Sequence, residues 1–251
     1  MSPTQFWSHW GWPACTALLC GLYAVLLLRQ YLDRRRNHQL AWFAGMLLYA
    51  AGAGMEAWSE FSQAWDPLVY RIYIVCAASL VGFLGLGSLY LVGRRQVLGH
   101  LYLAFNLLAM TLFLAGVLTA PLAGDPLVAG ITVGGKALGP TFSFPRIMSF
   151  FFNVPGTLLL LGTAVLSAWR FARKRDFAYR MWASLWIALG TAIIAFAGSM
   201  ARAGHTVGLY PAEMAGATFL LVGFLKAGTL QSGAEAIRRR ALSRGPSPRT
   251  P

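Results

Sequence analysis

Long apolar runs separated by short polar segments dominate the chain. Seven runs, at 13–32, 40–61, 68–92, 101–122, 147–169, 181–202 and 214–231, each approach the roughly 20 apolar residues that a helix needs to cross a bilayer core. The runs are continuous and Leu-rich, whereas the strands of a membrane barrel alternate apolar and polar positions over about ten residues. The pattern therefore predicts an all-α polytopic membrane protein, a seven-transmembrane-helix bundle forming one integral domain over 1–242. Residues 243–251, with Arg244-Gly-Pro-Ser-Pro-Arg249, read as a disordered basic tail.

The polar breaks are asymmetric. Arg34, Arg35 and Arg36 follow the first run, and Arg94 and Arg95 follow the third. Arg170, Arg173, Lys174, Arg175 and Arg180 surround the fifth-to-sixth connection, and Arg238, Arg239, Arg240, Arg244 and Arg249 follow the seventh. The intervening connections carry Lys136, Arg146 and Arg202. Short loops rich in Lys and Arg stay cytoplasmic, so the N-terminus is expected outside and the C-terminus inside, in a bacterial cytoplasmic (inner) membrane. The first run has no Lys or Arg before it and begins near Trp7, Trp10 and Trp12. That fits a retained span with an interfacial aromatic belt better than a cleaved signal peptide.

Composition sharpens this picture. Hydrophobic residues make up 57% of the chain and charged residues 12%, about half the charge of a soluble domain, and the mean hydropathy is +0.56. The net charge of +13 is a topology signal that also favours anionic lipid at the cytoplasmic face, at about 1 kcal/mol per basic residue near the surface. Nucleic-acid binding is not expected, because no soluble domain is left to carry it. Cys15, Cys20 and Cys76 fall inside apolar runs, and His9, His38, His100 and His205 fall at run ends or in loops. That distribution predicts no disulfide, metal site or cofactor. No nucleophile–base constellation appears, so the sequence leans away from an enzyme. Gly82-x-x-Gly85-x-Gly87 lies inside an apolar run and reads as packing of helices two and three, with Gly45, Gly52 and Gly54 opposite. Lys226 is expected to snorkel from the seventh helix.

Ionisable residues inside spans are costly and mark candidate functional positions. Glu56 and Glu60 lie four apart late in the second run, on one helix face. Arg71, just past the 62–67 connection, enters at similar depth, which predicts a Glu–Arg pair with a hydroxyl from Tyr70 or Tyr73 beside it. Ser149, Asn153 and Thr157 form a polar stripe in the fifth run, where Pro155 and Gly156 predict a kink. Arg202, His205 and Glu213 gather at the same outer end. The long connection before Arg146 contains Ile131–Leu138, read as a hairpin around Gly134-Gly135 lying over the mouth. Glu56, Glu60, Arg71, Tyr73, Asn153 and Arg202 are thus candidates for ligand binding or proton coupling.

Met55-Glu-Ala-Trp-Ser-Glu60 followed by Pro67-Leu-Val-Tyr-Arg-Ile-Tyr73 resembles helices two and three of the seven-helix N-terminal sensor region of bacterial histidine kinases. Asn153-Val-Pro-Gly-Thr157, Ser167-Ala-Trp-Arg170 and Gly223-Phe-Leu225 resemble a recurrent group of bacterial seven-helix membrane proteins. The resemblance implies the architecture and a sensing role, without the kinase domain that follows in the sensor kinases. The expected function is binding or sensing of a small molecule or lipid in an outward-facing polar cavity, with output through a membrane or cytoplasmic signalling partner. The alternatives are a small proton-coupled transporter using Glu56, and a membrane assembly or structural partner without a ligand. The pattern sets no oligomeric state.

Overall fold

The computed structural model describes residues 10–92, 96–122, 127, 135–140, 142–172, 178–202 and 208–243. Within these, the side chains of 136, 178–180, 201–202 and 227–243 fall outside the description. Seven α-helices fill the described residues: α1 Gly11–Arg34, α2 Asn37–Ser62, α3 Pro67–Val92, α4 Gln96–Thr119, α5 Phe144–Ala172, α6 Ala178–Arg202 and α7 Leu209–Ser243. The first six are long and apolar enough to cross a membrane, so the chain is a multi-pass helical membrane protein. Leucines and aromatics such as Leu18, Leu101, Leu108, Leu158 and Phe196 cover its exterior, as a lipid-facing surface requires.

The helices outrun the apolar windows that predict them. α4 begins at Gln96, five residues before its window, and α7 runs from Leu209 to Ser243, beyond 214–231 at both ends. Hydropathy marks only the part that needs hydrocarbon, whereas good helix formers such as Ala234, Glu235, Ala236 and Arg238 prolong the helix in any solvent. Ser243 is therefore helical, and the rest of the expected tail lies outside the described residues.

Local chemistry sets the turns. α1 stops where Arg35 takes a left-handed conformation (φ 50°) and donates its N–H to the Tyr31 carbonyl at 2.7 Å. Before α3, the Asp66 carboxylate accepts from the Leu68 and Val69 amides at 2.8 and 3.1 Å. Pro67 follows as the first helical residue, where a missing N–H costs nothing.

Neighbouring helices form a closed ring in the order α1, α2, α3, α5, α6, α7, with α4 outside on the seam of α3 and α5. The ring has two ends, one at the α1–α2 turn with Arg34–Arg36 (the basic end) and one at the α2–α3 turn. Small residues on α3 serve three partners, of which the expected tight pairing with α2, where Gly45 and Gly52 meet α3, is one. Gly87 lies under Trp42 of α2, Gly82 faces Asn106 of α4, and Gly85 meets the Gly156 backbone of α5. Toward the basic end the ring is filled by Tyr23, Trp42, Met46, Leu84, Leu160, Leu220 and Phe224. A second core of Trp65, Tyr70, Tyr73, Phe113, Phe152 and Leu138 packs near the other end.

Candidate functional site

A ring of six helices is too wide for side chains to fill throughout, and a cavity of about 850 Å³ lies inside it. α2, α3, α5, α6 and α7 line it, and its floor is Leu80, Leu84, Leu160 and Leu220. Most of the wall is apolar. Glu56, Tyr73, Arg146, Asn153, Thr191 and Glu213 supply polar atoms. Phe142, Phe150 and Leu158 belong to both the lining and the exposed surface. Gly198 on α6 also lines the cavity, and a Cβ there would have nothing within 4 Å. The cavity therefore opens sideways between α5 and α6, toward lipid.

Carboxyls and phenols form a lattice at the polar wall, where Tyr49, Glu56, Tyr73 and Glu213 line the cavity and Glu60 and Tyr210 lie outside the lining. The Glu56 carboxyl hydrogen-bonds the Tyr73 hydroxyl and the Glu213 carboxyl. Tyr49 donates to the Glu213 main-chain carbonyl at 3.1 Å, and Tyr210 donates to Glu60 Oε1 at 2.7 Å. Helical spacing explains the pairing: Glu56 and Glu60 are one turn apart on α2, as Tyr210 and Glu213 are on α7. Glu56 and Glu60 are 3% and 2% exposed. Glu56 and Glu213 both line the cavity, so two carboxyl groups offer hydrogen-bonding oxygens to a ligand at one place in its wall.

The expected Glu–Arg pair is not formed. Arg71 donates instead to the main-chain carbonyls of Val117 and Ala120, the latter at 2.8 Å. The reason is geometric: residues two apart on a helix point about 200° apart, so with Tyr73 facing Glu56, Arg71 faces away toward α4. There it meets the terminal carbonyls of a helix, which lack intrahelical donors and sit at the negative end of the helix dipole. The cation in the cavity wall is Arg146, which also donates to the Gly139 carbonyl at 3.2 Å.

The α5 stripe does face the cavity, since Ser149, Asn153 and Thr157 all line it. Its groups are partly occupied within the helix: Ser149 Oγ donates to the Arg146 carbonyl at 2.8 Å, and Asn153 Nδ2 to the Ser149 carbonyl at 2.9 Å. Pro155 sits inside a helix that runs unbroken from Phe144 to Ala172; it deprives the Phe151 carbonyl, at the cavity wall, of its amide donor. Gly156 serves the crossing with α3. Arg202 closes α6, with its side chain outside the described residues, as is all of His205. Ile131–Gly134, the core of the expected hairpin, also lies outside them; the adjoining stretch is a 3-10 turn, Lys136–Leu138. Ala137 and Leu138 are buried, and the Ala137 amide donates to the Tyr70 hydroxyl at 3.2 Å.

In the sequence Glu213 stands at the outer end without an evident role, and Arg146 reads as a loop residue. Both lie inside helices that start earlier than their apolar windows. The i, i+3 spacing of Tyr210 and Glu213 was the available signal. No family model, curated protein or solved structure matches the chain.

Proposed function

We propose that this chain is a seven-span protein of a bacterial cytoplasmic membrane, with its basic end in the cytoplasm, its N-terminus outside and its C-terminus inside. It binds an amphiphilic small molecule or lipid in the lateral cavity and passes the binding state to a membrane or cytoplasmic partner. One observation carries the binding reading: Glu56 and Glu213 stand in the wall of an otherwise mainly apolar cavity of about 850 Å³. The volume lies in the range of small-molecule sites, which are mostly apolar with a few placed polar groups. The apolar wall suits an acyl chain or ring system, and the carboxyl pair suits an amine or hydroxyl head. The side opening between α5 and α6 supports entry from the outer leaflet.

Thermal unfolding of the detergent-solubilised protein tests this, using a panel of long-chain amines, monoacylglycerols and small hydroxylated metabolites beside Glu56→Gln. A compound that raises the midpoint of the wild type by several degrees, and leaves that of an intact Glu56→Gln protein unmoved, supports the reading. If no compound acts, or one acts equally on both proteins, the cavity is not a site built around Glu56. The presence of two buried carboxyls, Glu56 and Glu213, in one cavity wall supports proton-coupled transport as a second reading. Substrate-dependent acidification inside proteoliposomes, abolished in Glu56→Gln, distinguishes the two.

A further inference from the structure

A second cavity, of about 470 Å³, lies at the basic end, where the α1–α2 turn meets the end of α3 and the start of α4. Among the described residues its lining brings together Arg35, Arg36, His38 and His100, with the amides of Asn37 and Gln96, and no carboxylate. The side chains are built in rather than merely near one another. The Arg35 guanidinium sits over the Tyr31 ring at 5.8 Å. The Tyr90 hydroxyl hydrogen-bonds His100 Nδ1 at 2.8 Å, which leaves Nε2 as the ring's second bonding atom. Gly99 permits this contact, because a Cβ there would lie 2.2 Å from the Tyr90 ring. Asn37 Nδ2 and Gln96 Oε1 approach to 3.5 Å and bridge the two turns.

Two observations point to a ligand. His38 is 8% exposed and its ring meets Trp42 edge-on, yet neither ring nitrogen hydrogen-bonds another described residue. The first turn of α2 has no side-chain cap, since Arg36 stands at the capping position and makes no such bond. The Gln39 amide already donates to the Arg36 carbonyl at 3.0 Å, which leaves the Asn37 and His38 amides at this helix N-terminus to face an anion.

We propose that this cavity binds a phosphate group. Guanidinium forks match phosphate oxygens bidentately, imidazole N–H groups add donors, and the α2 amides complete the set. A phospholipid headgroup and a soluble phosphate present the same chemistry. The headgroup fits the surroundings better, because exposed Leu91, Val97, Leu98 and Leu101 flank the cavity at the ends of apolar helices, where acyl chains would lie. The site is independent of the carboxyl-lined cavity.

The test uses the full chain in phosphatidylcholine nanodiscs, with phosphatidylglycerol added to the bilayer in one arm and inorganic phosphate or pyrophosphate added to the buffer in the other. Thermal midpoint is the readout. A rise with phosphatidylglycerol alone assigns a lipid headgroup, and a rise with the soluble anions assigns a free phosphate; either supports a phosphate site. Arg35→Gln with His100→Gln, both at exposed positions, should weaken the apparent affinity about tenfold or more. Arg29→Gln, an exposed cation outside the cavity, should change it less than about twofold. The midpoint in phosphatidylcholine alone reports whether each variant is folded. The proposal is overturned if neither anion stabilises the wild type, or if Arg29→Gln weakens binding as much as the double variant.

Discussion

The crossing of α3 and α5 holds one wall of the larger cavity and can be tested with a single added methyl group. A Cβ on Gly156 would lie 2.6 Å from the Val81 carbonyl oxygen, 2.7 Å from its carbon and 2.8 Å from the Gly82 nitrogen. All three are backbone atoms, so no side chain can swing aside. Ordinary contact begins at 3.4 Å, so the helices must separate by about 0.8 Å along that direction. Overpacking of this kind costs about 1–3 kcal/mol. Gly162 lies on the same helix, is exposed, and has nothing within 4 Å of its virtual Cβ. Alanine at either position gains the same propensity and restricts the unfolded chain alike, so those terms cancel in the comparison. What is left is the steric term.

Gly156→Ala should therefore be less stable than Gly162→Ala by about 1–3 kcal/mol, or roughly 5–150-fold in the unfolding equilibrium. Reversible unfolding in mixed micelles measures this directly. Gly85→Ala would place its Cβ 2.6 Å from the Gly156 carbonyl oxygen, so one separation of the helices relieves both strains. The double variant should cost less than the sum of the two. Equal stability of Gly156→Ala and Gly162→Ala, within about 0.5 kcal/mol, refutes the reasoning. It would mean that α5 bends at Pro155, where the helical hydrogen bond is already missing, and carries the new methyl group clear.

Three further substitutions separate structure from binding. Arg71→Gln weakens the contacts to the Val117 and Ala120 carbonyls; it should destabilise the fold by about 1–3 kcal/mol while leaving the ligand-induced midpoint shift intact. Tyr210→Phe removes the hydrogen bond to Glu60; by the same unfolding assay the loss should be about 0.6–1.7 kcal/mol, and smaller in a Glu60→Gln background. Gly198→Leu points into open space, so it should leave the unligated midpoint within a degree or two and reduce or abolish the shift by narrowing the lateral mouth.

The sequence made the helices legible because hydrocarbon imposes one requirement, a sustained apolar run, and little else satisfies it. Depth was legible for Glu56 and Glu60, whose four-residue spacing puts them on one face whatever surrounds them. Rotation about the helix axis was not. The direction of Arg71 depends on which face α3 turns to α2, and α3 is apolar nearly all round, so its pattern carries no preferred side. The order of helices around the ring was hidden for the same reason. Without it, the meeting of Tyr210 and Glu213 with α2 has no basis, because 150 residues separate Tyr210 from Glu60. The direction of the α5 stripe was more legible, because Ser149, Asn153 and Thr157 recur every four residues and mark one side of a mainly apolar stretch.

The floor of the cavity bears on what the carboxyl pair does. Passage through the bundle would have to part Leu80, Leu84, Leu160 and Leu220, behind which Trp42, Tyr23 and Phe224 are packed. Burying one Leu side chain is worth about 1.5–3 kcal/mol, so hydrating four costs about 6–12 kcal/mol. An opening of about 5.5 kcal/mol already corresponds to a roughly 10⁴-fold shift in population, so a transported solute would have to supply at least that as differential affinity. The floor is also pinned from behind. Trp42 Nε1 donates to the Leu84 carbonyl at 3.2 Å, and its ring lies 4.6 Å from that of Phe224. A ligand bound at Glu56 as proposed would therefore rest on a fixed base and leave by the side through which it entered, as the proposed binding role requires and a carrier does not.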